Sequence, residues 1–146
     1  MEQGRRAVRH ALGLEAGPRS GLVPTGIYTI PEIAMVGIGE SQAREAGRPI
    51  TVGRAHFSEL ARGQIAGNTH GLLKLIADGE GRKVLGVEVV GDGATDLVHL
   101  GQAAIIAGWD VDEFVDNVFN FPTLGEAYRL AALQVVDRRR EVPVEA

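Results

Sequence analysis

Leu72-Leu73-Lys74-Leu75-Ile76-Ala77 and Lys83-Val84-Leu85-Gly86-Val87-Glu88-Val89-Val90 are two runs of strand-forming residues joined by Asp78-Gly79-Glu80-Gly81-Arg82. Two β runs separated by a short glycine-containing turn read as a hairpin, with Lys74 and Glu88 at polar positions. A tight turn can only join antiparallel strands. This stretch therefore sets the kind of sheet to expect, and the rest of the chain is read outward from it.

Upstream, residues 26–30 and 34–38 are short β runs bounded by Pro31 and Gly39, and residues 51–57 are a further strand. Residues 40–47 suit a short helix stopped by Gly47, and residues 58–67 a second, with Ser58 as a cap. Downstream, Leu97, Leu100, Gly101, Ala104 and Ile105 follow the i, i+3, i+4, i+7, i+8 pattern of a helix that Gly108 ends. That helix is apolar nearly all round, so it belongs in the interior. Asp110-x-x-Glu113 opens a capped helix running to about Val118. The last helix carries Leu124, Ala127, Tyr128, Ala131 and Val135 on one stripe. Thr123 stands before it as N-cap with Glu126 three residues on, the Thr-x-x-Glu pattern of a capping box. Strands, then a hairpin, then a run of helices predict an α+β fold: an antiparallel sheet with helices packed on one face.

The 146 residues suffice for one domain with an extra arm, and a chain of this size buries roughly two-thirds of its unfolded surface. Only 5% of the residues are aromatic, so the core should be aliphatic. A net charge of −4 speaks against a nucleic-acid surface. The basic clusters Arg5-Arg6 with Arg9, and Arg138-Arg139-Arg140, lie near the ends and read as solvated charges. There is no cysteine, which excludes disulfides, thiolate metal sites and a redox-active cysteine pair within the chain. Apolar runs fall far short of the ~20 residues of a membrane helix, and the Arg-rich start lacks the apolar stretch of a signal peptide. A soluble cytoplasmic protein is expected. Residues 1–16 read as a helix with Ala7, Val8, Ala11, Leu12 and Leu14 as its apolar patch, and residues 17–24 as a linker.

Few residues suggest chemistry. Gly91-Asp92-Gly93-Ala94-Thr95-Asp96 lies between a strand and a helix, where a dinucleotide fingerprint would sit, but Asp96 replaces the small last residue and no parallel strand follows. An acidic helix start, favoured by the helix dipole, accounts for it. His10, His56, His70 and His99 are scattered, with no ligand spacing, so no metal site is expected. Asp110, Asp112, Glu113 and Asp116 crowd one helix N-terminus, which dipole complementarity explains. Neither a nucleophile elbow nor a P-loop occurs. From the residues alone, no catalytic constellation lies in this chain.

Several stretches nevertheless resemble a known family. Pro24-Thr25-Gly26-Ile27-Tyr28-Thr29-Ile30-Pro31-Glu32-Ile33 with Val36-Gly37, Gly53-Arg54-Ala55-His56-Phe57, Leu60-Ala61-Arg62 and Leu72-Leu73-Lys74-Leu75 recur in order and at the right spacing. His99-Leu100-Gly101-Gln102 and Phe119-Asn120-Phe121-Pro122-Thr123-Leu124-Gly125-Glu126-Ala127-Tyr128-Arg129 complete the series. Together they resemble the C-terminal dimerisation domain of the FAD- and NAD-linked pyridine nucleotide–disulfide oxidoreductases, with the soluble pyridine nucleotide transhydrogenases as the most similar branch. The likeness covers about residues 22–136. It implies a dimerisation domain over residues 22–137, preceded by the last helix and linker of an FAD-binding domain (residues 1–21) and followed by a tail (138–146).

The resemblance also implies a homodimer formed through this domain. The segment at Phe121 and Pro122, with a cis bond before the proline, would face the FAD of the partner subunit. Disulfide-reducing members carry a histidine where this chain has Phe121, paired with the glutamate that corresponds to Glu126. A phenyl ring cannot move a proton, so no catalytic residue is expected here, and Glu126 is left as a helix cap with Thr123. Hydride exchange between NADPH and NAD through FAD needs no proton relay to a sulfur. The expected function is therefore the interface domain of a flavin-dependent NAD(P) transhydrogenase, inactive and without bound cofactor when apart from the FAD- and NAD-binding domains. A free-standing dimerisation or interaction module, or a small dinucleotide binder through Gly91 to Asp96, are the rival readings.

Overall fold

The computed structural model describes residues 1–17 and 21–141. Its elements are α1 (Glu2–Ala11), β1 (Thr25–Ile27), β2 (Ile33–Gly37), α2 (Glu40–Glu45), β3 (Ile50–His56), α3 (Ala61–Ala66), β4 (Leu72–Asp78), β5 (Val84–Val90), α4 (Ala94–Ala107), α5 (Val111–Asp116) and α6 (Glu126–Glu141). The five strands form one sheet in the order β1-β2-β5-β4-β3, every neighbouring pair antiparallel. The expected hairpin is β4–β5, in register from Leu72 opposite Val90 to Ile76 opposite Gly86, with an irregularity at Ala77. An α+β fold with an antiparallel sheet is what the patterning predicts.

Register separates the two faces. Gly53, Leu75, Val87 and Val36 lie side by side across the sheet, and Arg54, Lys74, Glu88 and Met35 form the adjacent row. Alternate residues point to opposite faces, so the two rows look in opposite directions. The first faces the main core, where Leu75 and Val87 are fully buried beneath α4 and α6. Helix α6 lies directly on β3: a methyl at Gly53 would overlap the Ala131 carbonyl, so only glycine lets helix and strand backbones meet there. Helix α5 packs on α6. Phe114 of α5 stacks on Tyr128 with ring centroids 5.0 Å apart and meets Trp109 edge-on at 5.3 Å. The few aromatics are thus concentrated where the helices join.

The polar row faces the other way and is met by α2. Glu40 accepts both oxygens' worth of hydrogen bonds from Arg54 Nη2, at 2.7 and 2.6 Å, with Arg44 at 2.9 Å and Lys74 Nζ at 3.2 Å. Lys74 also pairs with Glu88 at 3.1 Å. Ala43, Val52 and Ile76 are buried on this side, so α2 is held by a small apolar patch and one charged cluster.

Several local expectations are corrected. The first helix does not reach residue 16: it ends at Ala11, because Gly13 adopts φ +70° and its amide returns to the His10 carbonyl at 3.0 Å. Its apolar patch stays open, with none of its residues buried. Pro18 and residues 142–146 lie outside the described residues. The helix expected over 58–67 splits into a 3-10 turn, Phe57–Glu59, and α3, because Leu60 between them is extended. Asp110 stands at the N-cap position of α5 but makes no side-chain capping bond; its carboxylate pairs with Lys83 Nζ at 2.8 Å. That helix stops at Asp116, short of Val118. Nor are the C-terminal arginines merely solvated. Arg138 donates to the Val52 carbonyl, and Arg139 makes a two-pronged contact with Asp112 at 2.7 and 2.8 Å, joining α6 to β3 and α5.

Candidate functional site

Between α5 and α6 runs the loop that the sequence marks as distinctive. Phe119 and Leu124 are partly buried and pack against the core. Between them Phe121 is 73% exposed, and the Phe121-Pro122 bond is cis. The Thr123 hydroxyl donates to the Asn120 carbonyl at 2.8 Å, and the Thr123 amide donates to Glu126 Oε2 at 3.1 Å. The chain enters α6 through two tight turns, Ala127 N–H to Leu124 O and Tyr128 N–H to Gly125 O, both 3.1 Å.

Half of the expected capping box is present. Only one of its two bonds is made, from the Thr123 amide to Glu126. The threonine hydroxyl donates to the Asn120 carbonyl, and no bond from the Glu126 amide to its oxygen accompanies it; regular helix begins at Glu126, after the two tight turns. The Thr123 amide and the Glu126 carboxylate thus link the loop to the first turn of α6.

The other candidates stay apart. His10 lies on α1, His56 ends β3, His70 precedes β4, and His99 on α4 contacts Gln102 at 3.0 Å. No group of three or more His, Asp or Glu able to hold a metal ion occurs among the described residues. The stretch from Gly91 to Asp96 is filled from within. Glu32 Oε2 accepts the Thr95 hydroxyl at 2.7 Å and the Thr95 amide at 3.1 Å, while the Glu32 carbonyl takes the Gly91 amide at 2.9 Å. The Thr95 hydroxyl, and then its amide, hold the Glu32 carboxyl below the usual carboxylate range. A carboxylate thus occupies the helix N-terminus where a pyrophosphate would bind. Sequence reading missed this partner, 63 residues away. The one available signal was that Gly93, at the N-cap of α4, has no side chain to do the work.

Besides the open patch of α1 and Ile65 of α3, large apolar side chains are exposed in two further regions. Ile106 of α4, Leu133 of α6, Val118 and Phe121 belong to the helical layer and its loop. Val23, Ile27, Tyr28, Ile30, Ile33 and Met35 belong to the β1–β2 edge. Apolar surface on this scale marks contact with other protein. No helix among the described residues is long and apolar enough to cross a membrane.

A single sheet backed by helices, with several exposed groups of apolar side chains, an exposed aromatic loop and no nucleotide cradle among the described residues, defines an interface domain. Residues 23–132 match the family described as pyridine nucleotide-disulphide oxidoreductase, dimerisation domain, and the chain belongs to that family. It is 48% identical over 140 residues to a soluble pyridine nucleotide transhydrogenase of Mycobacterium tuberculosis, spanning 96% of this chain and 30% of that protein. It is 48% identical over 119 residues to the enzyme of the same name from Hahella chejuensis, spanning 80% of this chain and 26% of that one. Among solved structures, LpdA from Mycobacterium tuberculosis superposes with a TM-score of 0.79 at 27% identity, over 91% of this chain and 29% of that one. The HOCl-induced flavoprotein disulfide reductase RclA from Escherichia coli gives 0.76 at 27%, over 88% and 30%. The chain therefore spans about three-tenths of the length of these relatives.

Proposed function

We propose that this chain is the interface domain of a flavin-dependent NAD(P) transhydrogenase: it joins two subunits and supplies one wall of the flavin site in the partner. The exposure of Phe121, on a loop whose neighbours Phe119 and Leu124 are anchored in the core, carries this reading. An apolar ring held in water has no folding purpose of its own and suits a flat, largely apolar ligand face or a second subunit. The residues here fit a wall and not a complete cradle. Phe121 and Pro122 can line an isoalloxazine, but the one helix start that resembles a phosphate site is taken by Glu32.

When bound in the whole enzyme, the flavin supplies a two-electron carrier between NADPH and NAD. This chain's own part is to exclude water and shape the site. With phenylalanine at position 121 there is no group at the loop tip to accept or donate a proton, which suits hydride exchange and not thiol–disulfide chemistry. The exposed β1–β2 edge, from Val23 to Met35, is assigned to the FAD- and NAD-binding domains of the same polypeptide, with residues 1–21 as the end of the first. The cytoplasm is the compartment this reading implies, and the names of the soluble relatives support it.

The test is reconstitution. The purified chain should be colourless and dimeric. Mixed with the matching nucleotide-binding portion, it should restore FAD-dependent hydride transfer from NADPH to an NAD analogue. A yellow, flavin-loaded preparation of this chain alone, or a strictly monomeric one, would overturn the proposal. Saturable NADH binding to the isolated chain would instead favour a dinucleotide binder.

A further inference from the structure

An exposed phenylalanine tends to fold back onto apolar surface unless its backbone is held. Seating Phe119 and Leu124 in the core fixes the two ends of the loop, and Asn120 to Thr123 span the gap between them. What remains is two hydrogen bonds, both through Thr123: its hydroxyl to the Asn120 carbonyl at 2.8 Å, and its amide to Glu126 Oε2 at 3.1 Å. The first lies within the loop and moves with it. Among the described residues, the second is the hydrogen bond that ties the stretch between those anchors to the first turn of α6. Two residues further on, the Tyr128 hydroxyl anchors that turn to α4 by contacts with Leu97 and Gly101.

We propose that Glu126 is the positioning residue of the Phe121 tip. By accepting the Thr123 amide, its carboxylate carries the rigidity of the α4–α6 pair into the loop and sets where the ring stands before any partner arrives. A charge-assisted bond from a backbone amide to a carboxylate is suited to this, since it is stronger than a neutral one. A pre-shaped loop also loses less conformational entropy on association. The significance of the tip rests on the reading of Phe121 as a flavin wall; the mechanical role of Glu126 does not.

The experiment compares the whole chain with Glu126→Ala, Glu126→Gln and Glu126→Asp by amide exchange and by relaxation of the Phe121 ring. In Glu126→Ala the Thr123 amide should exchange on the order of tenfold faster and the Phe121 ring should become more mobile, while the Leu75 and Val87 amides keep their protection. Glu126→Gln, which retains an acceptor oxygen, should recover most of the protection. Glu126→Asp, one methylene shorter, should not, and it carries the comparison if the alanine variant does not fold. Unchanged Thr123 exchange in both shortened variants would overturn the proposal. So would faster Thr123 exchange with unchanged Phe121 ring relaxation, the result of a helix-capping role alone. No flavin or partner enters this measurement, so a failed reconstitution and a failed positioning role are distinguishable.

Discussion

The Tyr128 hydroxyl stands against Gly101, accepting its amide hydrogen at 3.0 Å while donating to the Leu97 carbonyl at 2.7 Å. Those two backbone groups are the i and i−4 partners of one rung of α4, so a side chain of α6 is spliced into the ladder of its neighbour. Gly101 makes room for this. A methyl there would lie 2.6 Å from Val87 Cγ2 and 3.0 Å from the hydroxyl itself.

Tyr128→Phe should therefore cost about 1–3 kcal/mol, the range for leaving buried polar groups short of a partner, read as a lower urea midpoint with unchanged slope. Burial pushes the phenol above its ordinary range, so the folded protein keeps it neutral. Because the folded value is raised, its stabilisation is complete below about pH 10, the unfolded value, and fades as pH rises beyond it. The variant should lose that alkaline sensitivity.

Glu40 sets the acid limit. Burial opposes its charge but is outweighed by hydrogen bonds from Arg44, Arg54 and Lys74, which bring its carboxyl down to about 2. A depressed carboxylate stabilises the fold above its unfolded value of 4.5, and that contribution disappears as pH falls from there towards about 2. Glu40→Gln should lower stability at neutral pH by on the order of 2 kcal/mol, since Arg54 and Lys74 lose their shared partner. It should also flatten the acid limb of a stability–pH curve.

Glu32 acts as a remote cap for α4. Glu32→Ala should lower the thermal midpoint and speed exchange of the Thr95 amide. Thr95→Ala removes one of the same two bonds, so the double variant should fall short of the sum of the single changes. An additive result would mean that the two residues contribute independently.

Subunit association should depend on the outer side of the helical layer. Ile106→Glu combined with Leu133→Glu places charges on two exposed apolar positions and should weaken the proposed dimer at least tenfold by sedimentation equilibrium. The thermal midpoint of the monomer should change little, because neither side chain belongs to the core. Equal changes at Tyr28 and Ile30, on the β1–β2 edge, should leave dimerisation intact.

Legibility followed the range of the interactions. The β4–β5 hairpin, α4 and its end at Gly108 could be read directly, because period-two and period-3.6 patterning and glycine stops are local signals. The family motifs around Phe121 could be read too, and the fold they imply is the one found. Local rules failed where a distant group offered a better partner. The Asp110 carboxylate pairs with Lys83 instead of capping α5, and Glu32 reaches the start of α4 from 63 residues away.

By itself, then, the sequence determined the antiparallel sheet, the helices that cover it, the family, and the absence of a proton-transfer group at position 121. Tertiary structure alone decided how charges and polar groups are spent. Glu32 closes the start of α4, Glu40 gathers three cations beneath the sheet, and Arg139 grips Asp112. It also brought the Glu126 carboxylate onto the Thr123 amide at the foot of the Phe121 loop. The physical reason is one of reach. Apolar periodicity is written along a few turns of chain, whereas a buried or end-of-helix polar group takes whichever partner the fold brings within about 3 Å, however far away it lies in sequence.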